Sequence, residues 1–140
     1  MCIRDSVAVL KHLAAEAAAL LPDFDIEIIE THHRMKKDAP SGTAKLLLSA
    51  VNPDGTHPTV FGREGFAPRT ADEIGVHAVR GGTVAGVHTV SFFGDEEELS
   101  LTHRAESRRI FAIGALKTAE KLKDAPVGLH TLDELLFARR

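Results

Sequence analysis

Hydrophobic and polar positions change period several times along this chain. Residues 7–21 place Leu10, Leu13, Ala17 and Leu20/Leu21 at three-to-four spacing with Lys11 and Glu16 as the only charges, which predicts a helix buried on most sides. Pro22-Asp23 ends it, and Phe24-Asp25-Ile26-Glu27-Ile28 then alternates apolar and acidic side chains, the period of a half-buried strand. Residues 29–37 are crowded with Glu30, His32, His33, Arg34, Lys36 and Lys37; residues 38–43 are turn chemistry opening an apolar run at 44–51, a second helix. Residues 52–72 hold three prolines and three glycines without a sustained period and are expected as a surface excursion. Strands are expected at 74–80, 83–93 and 98–104, separated by Gly81-Gly82 and Gly94-Asp95. A helix over 107–123 sets Phe111, Ala115, Ala119 and Leu122 on one face, and a short tail helix covers 131–140.

This order of elements predicts an α+β fold: a mixed β-sheet with helices packed on one face and the other face used for oligomerisation. Val84, Val90, Phe92 and Phe93 are among the apolar residues of the later strands, more than one covered face needs. Composition adds limits rather than detail. In 140 residues, 44% are apolar, and 17 Lys+Arg against 20 Asp+Glu leave a formal net charge of −3, so the chain is one domain with a core and without the basic excess of a nucleic-acid binder. Cys2 is the single cysteine, which excludes an internal disulfide framework and a multi-cysteine zinc site. Neither a membrane span of ~18 apolar residues nor a signal peptide at residues 1–6 is legible, and a cytoplasmic protein without membrane or nucleic-acid partners is expected.

Candidate chemistry concentrates between Glu30 and Ala44. The adjacent imidazoles of His32 and His33 can exchange protons near neutrality, and Lys36 adds a cation one turn away. Ser41-Gly42-Thr43 at a helix start offers backbone N–H groups, a hydroxyl and the positive end of the dipole, which suits a carboxylate or phosphate. The same residues also read as a solvated strand end followed by an ordinary cap, and residue types alone leave both readings open. Eight histidines invite a metal, yet no H-x-x-x-H or H-x-H pair accompanies a carboxylate at ligand spacing. No metal is therefore expected, and His12, His57, His103 and His130 are read as surface or capped residues.

Glu30 through Ala44 closely resembles the E-x-H-H-R-x-K-x-D-A-P-S-G-T-A motif of the 4-hydroxy-tetrahydrodipicolinate (dihydrodipicolinate) reductases of lysine (diaminopimelate) biosynthesis. The resemblance continues in Gly62-Arg63, in Glu73 to His77 with Arg80-Gly81-Gly82, in Gly86-Val87-His88-Thr89-Val90, and in Leu101 to Ala105 with Ser107-Arg108. Val87 departs from it, standing where the family commonly has Glu. The resemblance implies that residues 7–140 are the family's substrate-binding and oligomerisation domain, preceded at 1–6 by a leader without counterpart, as in a truncated gene. It further implies that an absent N-terminal Rossmann domain binds the cofactor, NADPH or NADH. Gly81-Gly82 followed by Gly86 precedes a strand rather than a helix and is read as a hairpin turn.

On the same resemblance, His32 matches the family's proposed proton donor/acceptor and Lys36 its second proton donor. His33, Gly42 and Thr43 match substrate-binding positions, and Arg108 and Phe111 supporting ones. The implied substrate is a small cyclic dicarboxylate and the implied assembly a homotetramer. The 140 residues alone are expected to be inactive; the alternative is a non-catalytic, oligomerising α+β scaffold.

Overall fold

Alternation builds a sheet and three-to-four spacing builds helices within residues 5–137, the part of the chain described by this computed structural model. In chain order the elements are α1 (Asp5–Leu20), β1 (Asp25–His32), α2 (Gly42–Val51), β2 (Thr59–Phe61), β3 (Ile74–Arg80), β4 (Gly86–Gly94), β5 (Glu97–Ala105), α3 (Arg109–Leu122) and α4 (Leu132–Phe137). The strands form one mixed sheet in the order β2-β3-β1-β4-β5. β1 is parallel to β3 and antiparallel to β4. The α+β class read from the sequence is the class observed.

Strand parity sets the core. Ile28 lies in register with Val76 of β3 and Val90 of β4, and Ile26 with Ile74 and Phe92, so two rows of apolar side chains share one face. α1 and α2 cover that face, burying Leu10, Ala14, Ala44, Leu47 and Val51 against it. Fully burying each large apolar side chain stabilises the fold by ~1.5–3 kcal/mol. Ser41 caps α2 through its hydroxyl, which accepts from the Ala44 amide at 3.2 Å, and the Asn52 amide closes the other end on the Leu48 carbonyl at 2.9 Å.

Several expectations need correction. α1 begins at Asp5, inside the expected 1–6 leader, and places that acid in its first turn, where the dipole favours it; residues 1–4 lie outside the described part. α2 opens at Gly42 rather than Ala44. β1 runs on to His32, because β3 pairs with it through His32 and β4 through Thr31. β4 starts at Gly86 rather than Thr83, which leaves Val84 in the preceding connection, while Val90 and Phe92 belong to the covered core. The tail helix ends at Phe137 within the described residues; 138–140 lie outside them. α3 packs on α4 instead of lying on the sheet, so Phe111, Ile113, Leu116 and Leu122 stay exposed and only Gly114 is buried. Gly81-Gly82 is not a hairpin turn, because β3 and β4 are not neighbours: the connection wraps over the end of β1, with the Gly81 amide donating to the His32 carbonyl at 3.0 Å and the Arg34 amide to the Gly82 carbonyl at 3.1 Å.

The excursion at 52–72 is ordered. β2 pairs in parallel with β3, and the segment after it is pinned to the uncovered sheet face by charge. Arg69 pairs with Glu27 and, at 3.0 Å, with Asp25; Arg63 pairs with Glu73; His77 meets Glu27 at 2.6 Å. That face also carries half-exposed Ile29, Val79 and Phe93 among serines and threonines, and Val87 lies in register with Thr31 and Arg104 upon it. No helix among the described residues is long and apolar enough to cross a membrane.

Gly75 makes this charge cluster possible, since a Cβ there would lie 1.7 Å from Glu27 Oε2. Gly75→Ala is expected to lower stability by ~1–3 kcal/mol, the scale of an overpacked site, read as a lower urea midpoint; an unchanged midpoint contradicts the packing described.

Candidate active site

β1 carries its inward-facing row past the hydrophobic core: after Ile28 come Glu30 and His32 on the same face, both buried. A carboxylate with no exposed surface is costly unless paired, and Glu30 is paired on every side. Arg80, opposite His32 on β3, grips it with two nitrogens, Nη2 to Oε1 at 2.7 Å and Nη1 to Oε2 at 2.9 Å. The Ser41 amide donates to Oε1 at 3.0 Å, and His32 Nδ1 bonds to Oε2. Burial alone would raise the Glu30 carboxyl; Arg80, His32 and the Ser41 amide together hold it below its ordinary value.

His88 of β4 lies edge-on to His32, the ring centroids 5.0 Å apart, and its Nε2 is 3.0 Å from Ser41 Oγ. Burial pushes His88 down to about 4, with the positive fields of His32, His103 and Lys36 adding to it. His32 is lowered as well, mainly by burial and against the pull of Glu30. Over these two rings opens a cleft of about 130 Å³, walled by His32, Lys36, Gly42, Thr43, Arg108 and Phe111 and reaching Gly86, His88 and His103. Lys36 Nζ rests on exposed Asp38, 2.7 and 2.9 Å from its oxygens, and holds that carboxyl below its usual range. A Cβ at Gly42 would meet nothing within 4 Å, so the helix start opens on free space.

Six of the seven residues singled out from the sequence thus share one cleft. His33 does not line it: the strand ends at His32, and His33 turns to the neighbouring surface, where its Nε2 meets Arg108 Nη2 at 3.1 Å. Glu30, Arg80 and His88 carried no role from the sequence, and Ser41 was named only for the amides and hydroxyl of the helix start, not as a partner of Glu30 and His88. The signal for Glu30 was available in Glu30-x-His32, which becomes a same-face pair once the strand is carried to residue 32. His103 was read as surface or capped; it is half-buried, reaches the cleft and meets Ser6 Oγ at 3.0 Å. His12 stacks on Phe137, while His57 and His130 bond to backbone carbonyls.

Glu30, His32 and His88 bring potential metal-ligand atoms within 4.8 Å of one another. They do not fit a metal, because both Glu30 oxygens are occupied by His32, Arg80 and the Ser41 amide, and a cation would have to enter beside the Arg80 guanidinium. Nor does the glycine turn fit a dinucleotide pyrophosphate, since the Gly81 amide is spent on the end of β1 and the turn leads into a strand rather than a helix. What remains is a cleft of the class that suits a small anion beside proton-exchanging groups.

The sequence profile described as "Dihydrodipicolinate reductase, C-terminus" matches residues 6–136, and the chain belongs to that family. It is 49% identical over 131 residues to a protein named 4-hydroxy-tetrahydrodipicolinate reductase from Methanococcoides burtonii, covering 93% of this chain and 49% of the relative. A protein of the same name from Methanocorpusculum labreanum is 47% identical, covering 93% and 52%. Among solved structures, a dipicolinate-bound dihydrodipicolinate reductase from Paenisporosarcina sp. TG-14 superposes with a TM-score of 0.67 at 26% identity, covering 86% of this chain and 47% of that one. The chain spans about half the length of the relatives it matches.

Because His32 and His88 both titrate lower when folded than the ordinary value of 6.5, the unfolded chain binds protons first on acidification. Stability is therefore expected to fall as pH drops from 6.5 toward 4, with Glu30 extending the loss below its ordinary value. Urea midpoints at pH 7.5 and 5 check this, and equal midpoints would contradict it.

Proposed function

We propose that residues 7–140 are the substrate-binding and oligomerisation domain of a cytoplasmic 4-hydroxy-tetrahydrodipicolinate reductase, acting on a cyclic dicarboxylate on the route to lysine. The observation that carries this reading is the convergence of His32, Lys36 and the Gly42–Thr43 helix start on one small cleft in a chain of this family. Two carboxylates on the substrate ring call for two cationic or amide-rich posts. The N-terminus of α2 at Gly42 and Thr43 is one; Arg108, with His33 beside it and Phe111 against the ring, is the other.

In this scheme one net proton balances the hydride, with His32 as the proton donor/acceptor and Lys36 as the second donor. When a dianion enters, Lys36 exchanges the exposed Asp38 for the ligand and delivers a proton from its ammonium, while His32 serves from the buried side. NADPH or NADH would supply hydride from a domain outside these 140 residues. The 140 residues alone are then inactive with either nicotinamide, and a non-catalytic scaffold describes their behaviour in isolation.

Calorimetry with dipicolinate tests the binding half. The chain is expected to bind it, Gly42→Ala to weaken binding without loss of stability, and Thr43→Val to weaken it also. In a two-domain protein that joins this chain to a nicotinamide-binding domain, His32→Gln or Lys36→Met should lower kcat by ~100-fold or more, the scale of acid–base groups. No dipicolinate binding, or an effect of His32→Gln and Lys36→Met on KM alone, would refute the assignment.

Oligomerisation is assigned to the uncovered sheet face, where Ile29, Val79 and Phe93 are half-exposed, with a homotetramer as the assembly. Light scattering at micromolar concentration is expected to show a multiple of the monomer mass; a clean monomer would refute it.

A further inference from the structure

The roles above require His32 to present one ring nitrogen to the ligand, and neutral imidazole has two ways to place its single proton. The surroundings of the ring decide between them. Nδ1 faces Glu30 Oε2. Glu30 is ionised near neutrality, held there by Arg80 and the Ser41 amide, and an ionised carboxylate can only accept. The proton therefore sits on Nδ1. The other edge of the ring points to the cleft, where Gly86 makes room: a Cβ at that position would lie 3.1 Å from His32 Nε2.

We propose that Glu30 is a positioning residue for the reductase reaction, fixing the His32 tautomer with hydrogen on Nδ1 so that Nε2 faces the ligand, and that Arg80 in turn fixes Glu30. This deepens the functional reading above and rests on it. In the neutral ring Nε2 offers a lone pair. In the protonated ring Nε2–H is the bond that breaks when the proton passes to the ligand, and the ring returns to its Nδ1–H form with the Glu30 contact unbroken.

The carboxylate also tunes how readily Nε2 takes that proton. The charged or titratable groups facing His32 are Glu30 from its own strand, Arg80 from β3, His88 from β4 and Lys36 from the β1–α2 connection, with His103 of β5 and Arg108 reaching the same cleft. Glu30 alone among these is negative. Without it, burial and the surrounding cations act on the ring unopposed.

Glu30 is set apart from a merely structural acid by geometry. An ion pair with Arg80 would be served by Glu30 and Arg80 alone, whereas here one oxygen is shared between Arg80 and the imidazole, and the other between Arg80 and the amide that opens α2. A single carboxylate thus sets the ring on β1 relative to the helix start that carries Gly42 and Thr43.

The test begins with the unaltered chain, its histidines labelled with nitrogen-15. Long-range proton–nitrogen spectra at pH 7.5 are expected to show His32 protonated on Nδ1 and bare on Nε2; a ring protonated on Nε2 overturns the inference, and this readout needs no variant. In Glu30→Gln the His32 titration midpoint is expected to move down. In the two-domain enzyme the same variant should lower kcat at least ~10-fold with KM for the dicarboxylate within about twofold, and shift the pH profile on the limb that reports His32. A Glu30→Gln protein that folds with an unmoved His32 midpoint, or that changes KM alone, overturns it. Failure of the functional reading is separately visible: it appears as absence of dipicolinate binding by the unaltered chain, whatever the tautomer.

Discussion

A carboxylate without any exposed surface lies at the centre of this sheet, and the geometry of the cleft depends on how its charge is met. Glu30 could not be held ionised there by burial, which works against it; Arg80 from β3, the Ser41 amide from the start of α2 and the His32 ring from β1 do so together. Removing one partner of a buried pair typically costs ~3–5 kcal/mol, because the other charge is left without compensation. The same contacts fix three separate elements in relation to one another, so the pairing that stabilises the ion also brings the His32 ring and the open N-terminus of α2 to one cleft.

Around that centre the charges are sorted by depth. His88 is pushed down to about 4 and is neutral at physiological pH, so it packs beside His32 as an uncharged ring and meets Ser41 through a hydrogen bond. The basic side chains of Lys36 and Arg108 stand at the walls, and Lys36 rests on an acid that is itself exposed. Asp38 stands in solvent, and an exposed ion pair is worth only ~0–1 kcal/mol, so the proposed exchange of Asp38 for a dianion would cost little. The uncovered face of the sheet is organised differently: Arg63 and Arg69 are consumed by Asp25, Glu27 and Glu73, and this pairing anchors the long connection beyond β2.

Much of this was legible in the sequence because it follows from period. The alternation at 24–28 and the three-to-four spacing of α1 and α2 report local geometry directly, and the run from Glu30 to Ala44 marks the family and the cleft. Other features depend on partners that are distant in sequence. The extension of β1 to His32 requires β3 and β4 on either side, and polar residues at 30 and 32 disguise it as a strand end. Arg80, fifty residues from Glu30, and His88, forty-seven from Ser41, are joined to them only by the strand order. The glycine turn at 81–82 resembles a hairpin in sequence, yet it crosses the end of β1 because β3 and β4 flank that strand. The apolar face of α3 was legible as amphipathic, but amphipathicity does not say which surface a helix meets.

The most direct measurement is a crystal structure of the chain grown with dipicolinate. The expected result has the ring in the cleft between His32 Nε2 and the start of α2, one carboxylate at Gly42 and Thr43, Lys36 turned from Asp38 toward the ligand, and the Glu30 contact to His32 Nδ1 intact. Dipicolinate bound at another surface, or bound in the cleft with Glu30 turned away from His32, would contradict the assignment of Glu30 as the group that organises this site.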